Sequence, residues 1–191
     1  MGIALSAVAL LVASVACALS LAVALRVKKI LDPWVAERVA GGPPPFSPLP
    51  GTVVPAVPAL TDADGTAVEL PLGDGAPWVL TFQSAECDGC KEQLPVLKEF
   101  LAETGVAESR VFSVIGGDAS GTDFYRSELN GLSRIFPEGG TAAELKKELG
   151  VVIFPTYIVV DGGGTVAVAT ADSGRLMEAG GGVLAPVAVG G

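Results

Sequence analysis

From Gly2 to Leu25 the chain runs for twenty-four residues without a charge, in GIALSAVALLVASVACALSLAVAL. At ~1.5 Å per residue a helix of that length crosses a ~30 Å hydrocarbon layer, so the run predicts a transmembrane helix. It exceeds the ~7 to 15 apolar residues of a cleavable signal, and no basic residue precedes it. Cys17 lies inside the run and reads as an inert cysteine of a membrane helix. Arg26, Lys28 and Lys29 follow, and ILDPWVAERVA (Ile30 to Ala40) predicts a short amphipathic helix with Trp34 near the headgroup level.

The pattern then breaks. GGPPPFSPLPGTVVPAVP, Gly41 to Pro58, carries seven of the fourteen prolines, a density that favours an extended, semi-rigid spacer over helix or sheet interior. Beyond it, short apolar runs alternate with helical spacing. ALTDADGTAVEL predicts strand, Asp64-Gly65 turn and strand. PWVLTFQ, Pro77 to Gln83, is a nearly continuous apolar run of the kind covered on both faces. DGCKEQLPVLKEFLAETG places Leu94, Leu97, Phe100 and Leu101 at helical spacing up to a Gly105 stop, with Pro95 as a kink. RVFSVIGG predicts a second central strand, GTDFYRSELNG a second helix, LSRIFPE a brief strand, and TAAELKKELG a third helix capped by Thr141 with Glu144 three residues on. VVIFPTYIVVDGGGTVAVAT predicts strand, turn and strand, Gly162 to Gly164 making the turn. SGRLMEAGGGVLAPVAVGG starts as a helix that Gly180 to Gly182 should end. The segments are therefore a transmembrane helix with its basic flank (1–29), a juxtamembrane helix and proline-rich linker (30–56), an α/β domain (57–178) and a glycine-rich tail (179–191).

Composition narrows the chemistry. Twelve Lys and Arg stand against twenty-one Asp and Glu, a net charge of −9, which argues against a surface able to neutralise nucleic-acid phosphates. Histidine is absent, which removes Ser-His and Cys-His catalysis and imidazole metal sites together. With Cys17 far off, Cys87 and Cys90 cannot complete a four-ligand zinc set, and no metal or other cofactor is expected.

What remains is SAECDGCKEQLP. Cys87 falls just beyond a buried strand and at the first turn of the following helix, where free backbone N–H groups and the helix dipole stabilise a thiolate. Cys90 falls about one turn on, within reach of a disulfide. A bare C-x-x-C admits a static bridge as well as a redox dithiol. A strand before, a helix after, an α/β alternation and a proline ahead of a later strand are the context that the redox reading needs.

In these segments the chain resembles the thioredoxin-like proteins, specifically the membrane-anchored TlpA and ResA type, over roughly residues 57 to 175. TFQSAECDGCKEQLP is similar to that family's active-site segment, and VVIFPTYIVVDGGGTV to the segment carrying its cis-proline. The span, basic end, ERVA and proline-rich spacer are similar in layout to the methylamine-utilisation MauD proteins. The resemblance implies a thioredoxin-like fold, a central mixed sheet flanked by helices, with an N-terminal β-hairpin and one inserted βα unit between Gly121 and Glu138. It implies Cys87 as the attacking cysteine, Cys90 as the resolving one, Pro155 as the cis-proline beside them, and Phe154 and Thr156 on the substrate groove. It implies partners of two kinds: client proteins bearing disulfides, and a membrane-bound or soluble thiol electron donor or acceptor.

The departures matter as much. Glu86 stands where the family usually has Trp, Thr81 where thioredoxin proper has a buried acid, and Gln93 where ResA-like proteins have a glutamate. Neither of the last two supplies a carboxylate, which leaves Glu86 itself or a water chain to move protons. A carboxylate some ~6 Å from a thiolate at intermediate dielectric costs it on the order of 1 to 3 kcal/mol before screening, so Glu86 and Asp88 oppose what the helix dipole favours at Cys87. The reading is a membrane-anchored reductase working by dithiol-disulfide exchange. Two alternatives compete: a non-catalytic docking module, and a peroxiredoxin-like peroxidase, for which Ser84 replaces the expected threonine and Leu80 the expected proline. A copper carrier would need wider cysteine spacing and a histidine. Asp118 and Asp123 read as solvated loop acids, and Lys146 as part of an exposed helix face. The basic residues after the span predict a cytoplasmic domain by the positive-inside tendency, whereas disulfide chemistry predicts an extracytoplasmic one, the placement adopted.

Overall fold

The computed structural model describes residues 47–184. The expected span, the juxtamembrane helix, the start of the spacer and the last seven residues lie outside the described residues. Among the described residues no helix is long and apolar enough to cross a membrane.

Three strands are buried along almost their whole length and form the centre of the molecule: β3 (Trp78–Ser84), β4 (Val111–Gly116) and β6 (Thr156–Val160). With β5 (Arg134–Pro137) and β7 (Val166–Thr170) they make one sheet in the order β5-β4-β3-β6-β7. The pairs β3–β4 and β4–β5 are parallel, whereas β6 runs antiparallel to both β3 and β7. Side chains alternate across the sheet by the two-residue period of a strand. Trp78, Leu80, Phe82, Phe112, Val114, Phe136, Ile158 and Val160 share one core with Ala142 and Leu145 of α3 (Gly140–Glu148) and with Leu149 at its C-cap. Val79, Val111, Ile115, Ile135, Tyr157 and Val159 face the other core, together with α1 (Asp88–Thr104), α2 (Ala119–Glu128) and α4 (Ser173–Leu184). The mixed α/β sheet flanked by helices is the fold class that the segment order predicts.

The predicted hairpin is present as two very short strands, β1 (Leu60–Thr61) and β2 (Ala67–Val68). Its turn is built by Asp62, whose carboxylate accepts from the N–H groups of Asp64 and Thr66, and by Gly65 at φ +82°, a conformation only glycine adopts freely. It lies against β5 through the Ala63 N–H, which donates to the Ile135 carbonyl at 2.8 Å.

Four local expectations change. The sheet's partner chain begins before Val57: Gly51 and Val54 donate to Val166 and Gly164, and Val53 bridges Thr165. Gly51 to Val54 is the proline-free gap in the spacer, so its N–H groups remain available for pairing. Thr141 does not cap α3. The helix starts at Gly140, with Gly139 at the cap and no side-chain capping bond, because only Glu138 and Gly139 separate it from β5 and the chain turns at Gly140, φ +48°. Asp118 is not a free loop acid. It caps α2, accepting from the Gly121 N–H at 2.9 Å and the Ser120 hydroxyl at 2.8 Å, and these bonds hold its carboxyl below the usual carboxylate range. Asp123 is exposed on the second turn of that helix.

The fourth concerns the glycines at 180–182. They do not end the last helix, which continues to Leu184. A Cβ on Gly180 would stand 3.0 Å from the Phe100 ring and 3.1 Å from Val159, so the missing side chain lets α4 approach α1 and the sheet. That packing outweighs the roughly 1 kcal/mol of helix propensity lost at a glycine.

Candidate functional site

Strand β3, the central strand of the sheet, ends at Ser84, and three residues turn the chain into α1. Ala85 donates to the Gly116 carbonyl at 2.8 Å, which ties the turn to the end of β4. Gly121 of α2 lies against the same Ala85, so closely that a Cβ there would meet Ala85 Cβ at 2.0 Å. The turn is thus clamped from two sides immediately before the cysteines.

Cys87 and Cys90 form a disulfide with their Cα atoms 5.3 Å apart. Cys87 is the N-cap of α1, refining its expected place in the first turn, and its Sγ accepts from the Cys90 N–H at 3.1 Å. An anionic sulfur at this position would meet that N–H and the positive end of a seventeen-residue helix. The two sulfurs differ in access: Cys87 is half-buried, whereas Cys90 is completely buried. An incoming partner can reach only the first.

Phe154-Pro155 is a cis peptide bond, and the Phe154 carbonyl lies 3.7 Å from Cys87 Sγ. The expected neighbours of the dithiol therefore come together from segments sixty-seven residues apart. Glu86 and Asp88 are exposed on either side of Cys87. Thr156 is a correction: it is wholly buried and its hydroxyl donates to the Ile153 carbonyl at 2.8 Å, because it opens β6 on the inward-facing side of the strand. Phe154, half-buried, remains beside Cys87, and Val152 two residues before it is exposed.

Gln93 is engaged at both ends of its amide. Its carbonyl oxygen accepts from the Ser173 N–H at 2.7 Å and its amide donates to the Ala171 carbonyl at 3.3 Å, so both ends clasp α1 to the start of α4. Thr81 is buried at the centre of the sheet and donates to the Ser113 hydroxyl at 2.9 Å, which lies 2.7 Å from the Ser133 hydroxyl. Pro95 lies within α1, which continues through it.

Lys146 is not part of a free face. Its ammonium pairs with Glu138 and lies 4.9 Å from the centre of the Phe154 ring, a cation–π contact that braces the residue whose carbonyl meets Cys87. Sequence reasoning also passed over Gln83 and Tyr157, both fully buried in this region. A glutamine at the end of the nearly continuous apolar run PWVLTFQ was the signal available for the first.

No family model matches the chain, and no curated protein matches it in sequence. Its structure is similar to the thioredoxin domain of a thiol-disulfide oxidoreductase from Bacteroides vulgatus, with TM-score 0.56 and 20% identity over 69% of this chain and 95% of that one. It is also similar to a thioredoxin-family thiol:disulfide interchange protein from Chlorobium tepidum, with TM-score 0.56 and 14% identity over 70% and 97%. A secreted disulfide oxidoreductase from Mycobacterium tuberculosis aligns with TM-score 0.51 and 16% identity over 63% and 91%. At these identities the likeness is one of fold, and the fold is thioredoxin-like.

Proposed function

We propose that this chain is a membrane-anchored thiol-disulfide oxidoreductase that reduces disulfides of client proteins through Cys87-Asp88-Gly89-Cys90. The observation that carries the reading is the asymmetry of the pair: a half-buried Cys87 capping α1 beside the Phe154 carbonyl, and a fully buried Cys90 behind it. The names of the three fold neighbours described above, disulfide oxidoreductases or an interchange protein, support it.

The mechanism follows from that geometry. The Cys87 thiolate attacks one sulfur of a client disulfide, the client's S–S bond breaks, and the departing client sulfur takes a proton. Cys90 then loses its proton and attacks Cys87 Sγ. The Cys87–Cys90 disulfide forms, and the client's second sulfur leaves as a thiolate. Two electrons have passed to the client, and a thiol donor must return the pair to the dithiol state. Glu86 and Asp88 make the thiolate less favourable than the helix start alone would, which places the couple toward the reducing end of the range, since strong oxidants owe their potential to a stabilised reduced form. The bilayer segment of this reading is residues 2–25, with the catalytic domain on the extracytoplasmic side, where client disulfides persist. Protease added to intact cells should digest it, and a domain protected until lysis contradicts that placement.

Trapping tests the assignment directly. Cys90→Ser should accumulate mixed disulfides with clients while Cys87→Ser does not. The opposite pattern reverses the two roles, and accumulation from neither variant removes the exchange reading.

A further inference from the structure

The alternation that points Leu80 and Phe82 into one core turns Val79, Thr81 and Gln83 toward the helices on the other face. Thr81 is satisfied by Ser113. Gln83 is not: it is completely buried, and neither its amide nitrogen nor its carbonyl oxygen has a partner. The same holds for the hydroxyl of Tyr157, which stands opposite Thr81 in the β3–β6 ladder. Each such orphan forfeits the hydration its polar atoms had in water, and an apolar side chain at either place would avoid that loss. Buried polar groups retained without partners call for an explanation.

Their position supplies one. Helix α1 follows β3 after a three-residue turn, so Cys90 in its first turn stands at the Gln83 end of the strand, and Cys90, Leu94 and Leu97 belong to the same core as Val79. Tyr157 lies in the same core as Cys90. Tyr125 of α2 reaches this end too, its hydroxyl donating to the Ser84 carbonyl at 3.4 Å. Cys90 must gain or lose a proton whenever the disulfide opens or closes, yet it is completely buried, and Thr81 and Gln93 offer no carboxylate beneath it. The titratable groups of this interior are Cys90 from α1, Tyr125 from α2 and Tyr157 from β6, while Asp172 ahead of α4, Glu86 and Asp88 are exposed. Burial, with Tyr125 and Asp172 adding to it, pushes the Tyr157 phenol well above its ordinary range, so it stays protonated and able both to donate and to accept.

We propose that Gln83 and Tyr157 are positioning residues of a buried proton path, holding water between amide and phenol so that it exchanges a proton with Cys90 Sγ. This rests on the exchange reading above. When a donor thiolate attacks Cys87, the Cys87–Cys90 bond breaks, its electron pair stays on Cys90 Sγ, and that sulfur takes a proton through the held water, which solvent replenishes. On resolution the proton leaves Cys90 by the same route as its sulfur attacks Cys87.

The test uses the full chain, reduced and mixed with oxidised glutathione, with acid quench and mass spectrometry separating the Cys87-glutathione mixed disulfide from the closed form. Tyr157→Phe removes one oxygen and keeps the packing; Gln83→Met keeps the volume. Each should slow closure of the mixed disulfide about tenfold at pH 7, with the deficit narrowing as pH rises, and Gln83→Glu should restore most of the rate. Wild-type closure rates and pH profile in folded Tyr157→Phe would overturn the proposal, as would slowing that is the same at every pH. Failure of Gln83→Met to fold leaves Tyr157→Phe to decide. Absence of exchange in the unsubstituted protein would instead remove the exchange reading itself.

Discussion

Single residues at this site are set by what surrounds them as much as by their own chemistry. Gln93 occupies a position where a proton-handling carboxylate was the natural comparison, yet both ends of its amide are engaged in holding the start of α4. Gln93→Leu is therefore expected to lower unfolding free energy by about 1 to 2 kcal/mol, the worth of hydrogen bonds lost with one partner left unpaired. Urea denaturation measures the loss, and the rate of glutathione exchange should change little. A large loss of exchange with unchanged stability would return Gln93 to the chemistry.

At the scale of elements, glycines and caps decide where helices begin and how closely they approach. Nothing lies within 4 Å of a Cβ added to Gly181, whereas one on Gly180 meets Phe100, Val159 and Leu176 at 3.0 to 3.2 Å. Gly181→Ala should raise stability by about 0.5 to 1 kcal/mol through helix propensity, and Gly180→Ala should forfeit that gain to overpacking of about 1 to 3 kcal/mol. Equal stabilisation by both would show that α4 does not press on α1. The cap of α2 carries a pH dependence. The folded-state pKa of Asp118 is lowered, first by the Gly121 N–H and then by the Ser120 hydroxyl, so its contribution is present above the ordinary carboxylate range and is lost as pH falls through the folded value, below about pH 4. Asp118→Asn keeps a capping oxygen without the charge. Between pH 6 and pH 3.5 it should lose less stability than the unsubstituted protein, compared by urea midpoints.

For the whole molecule, the consequence of the site is a redox potential. One dipole favours the Cys87 thiolate, two exposed acids oppose it, and Lys146, the cation nearest the Phe154 ring, is already paired with Glu138. Equilibration with glutathione should place the Cys87–Cys90 couple below about −180 mV, away from the roughly −120 mV of the strongest oxidants. A value near the latter would mean that the acids are screened and the helix start dominates. Replacing both with Glu86→Gln and Asp88→Asn should raise the potential.

How much of this was legible in the sequence depends on whether the cause is local. The strand-to-helix placement of Cys87, the hairpin turn at Asp64-Gly65 and the buried character of β3 follow from periodicity, backbone sterics and dipoles that act within a few residues, and the sequence alone carries them. The disulfide partners are neighbours by spacing. What brings Phe154 to Cys87, clamps Ala85 between β4 and α2, leads α4 through three glycines and buries Thr156 is the order of strands in the sheet. That order depends on which apolar faces meet, a long-range choice that no window of the chain contains. Gln83 and Tyr157 make the same point most sharply: a polar residue ending one strand and a tyrosine in another are unremarkable as letters, and become a pair of unpartnered groups behind a buried cysteine only when the sheet puts β3 beside β6 and α1 covers both.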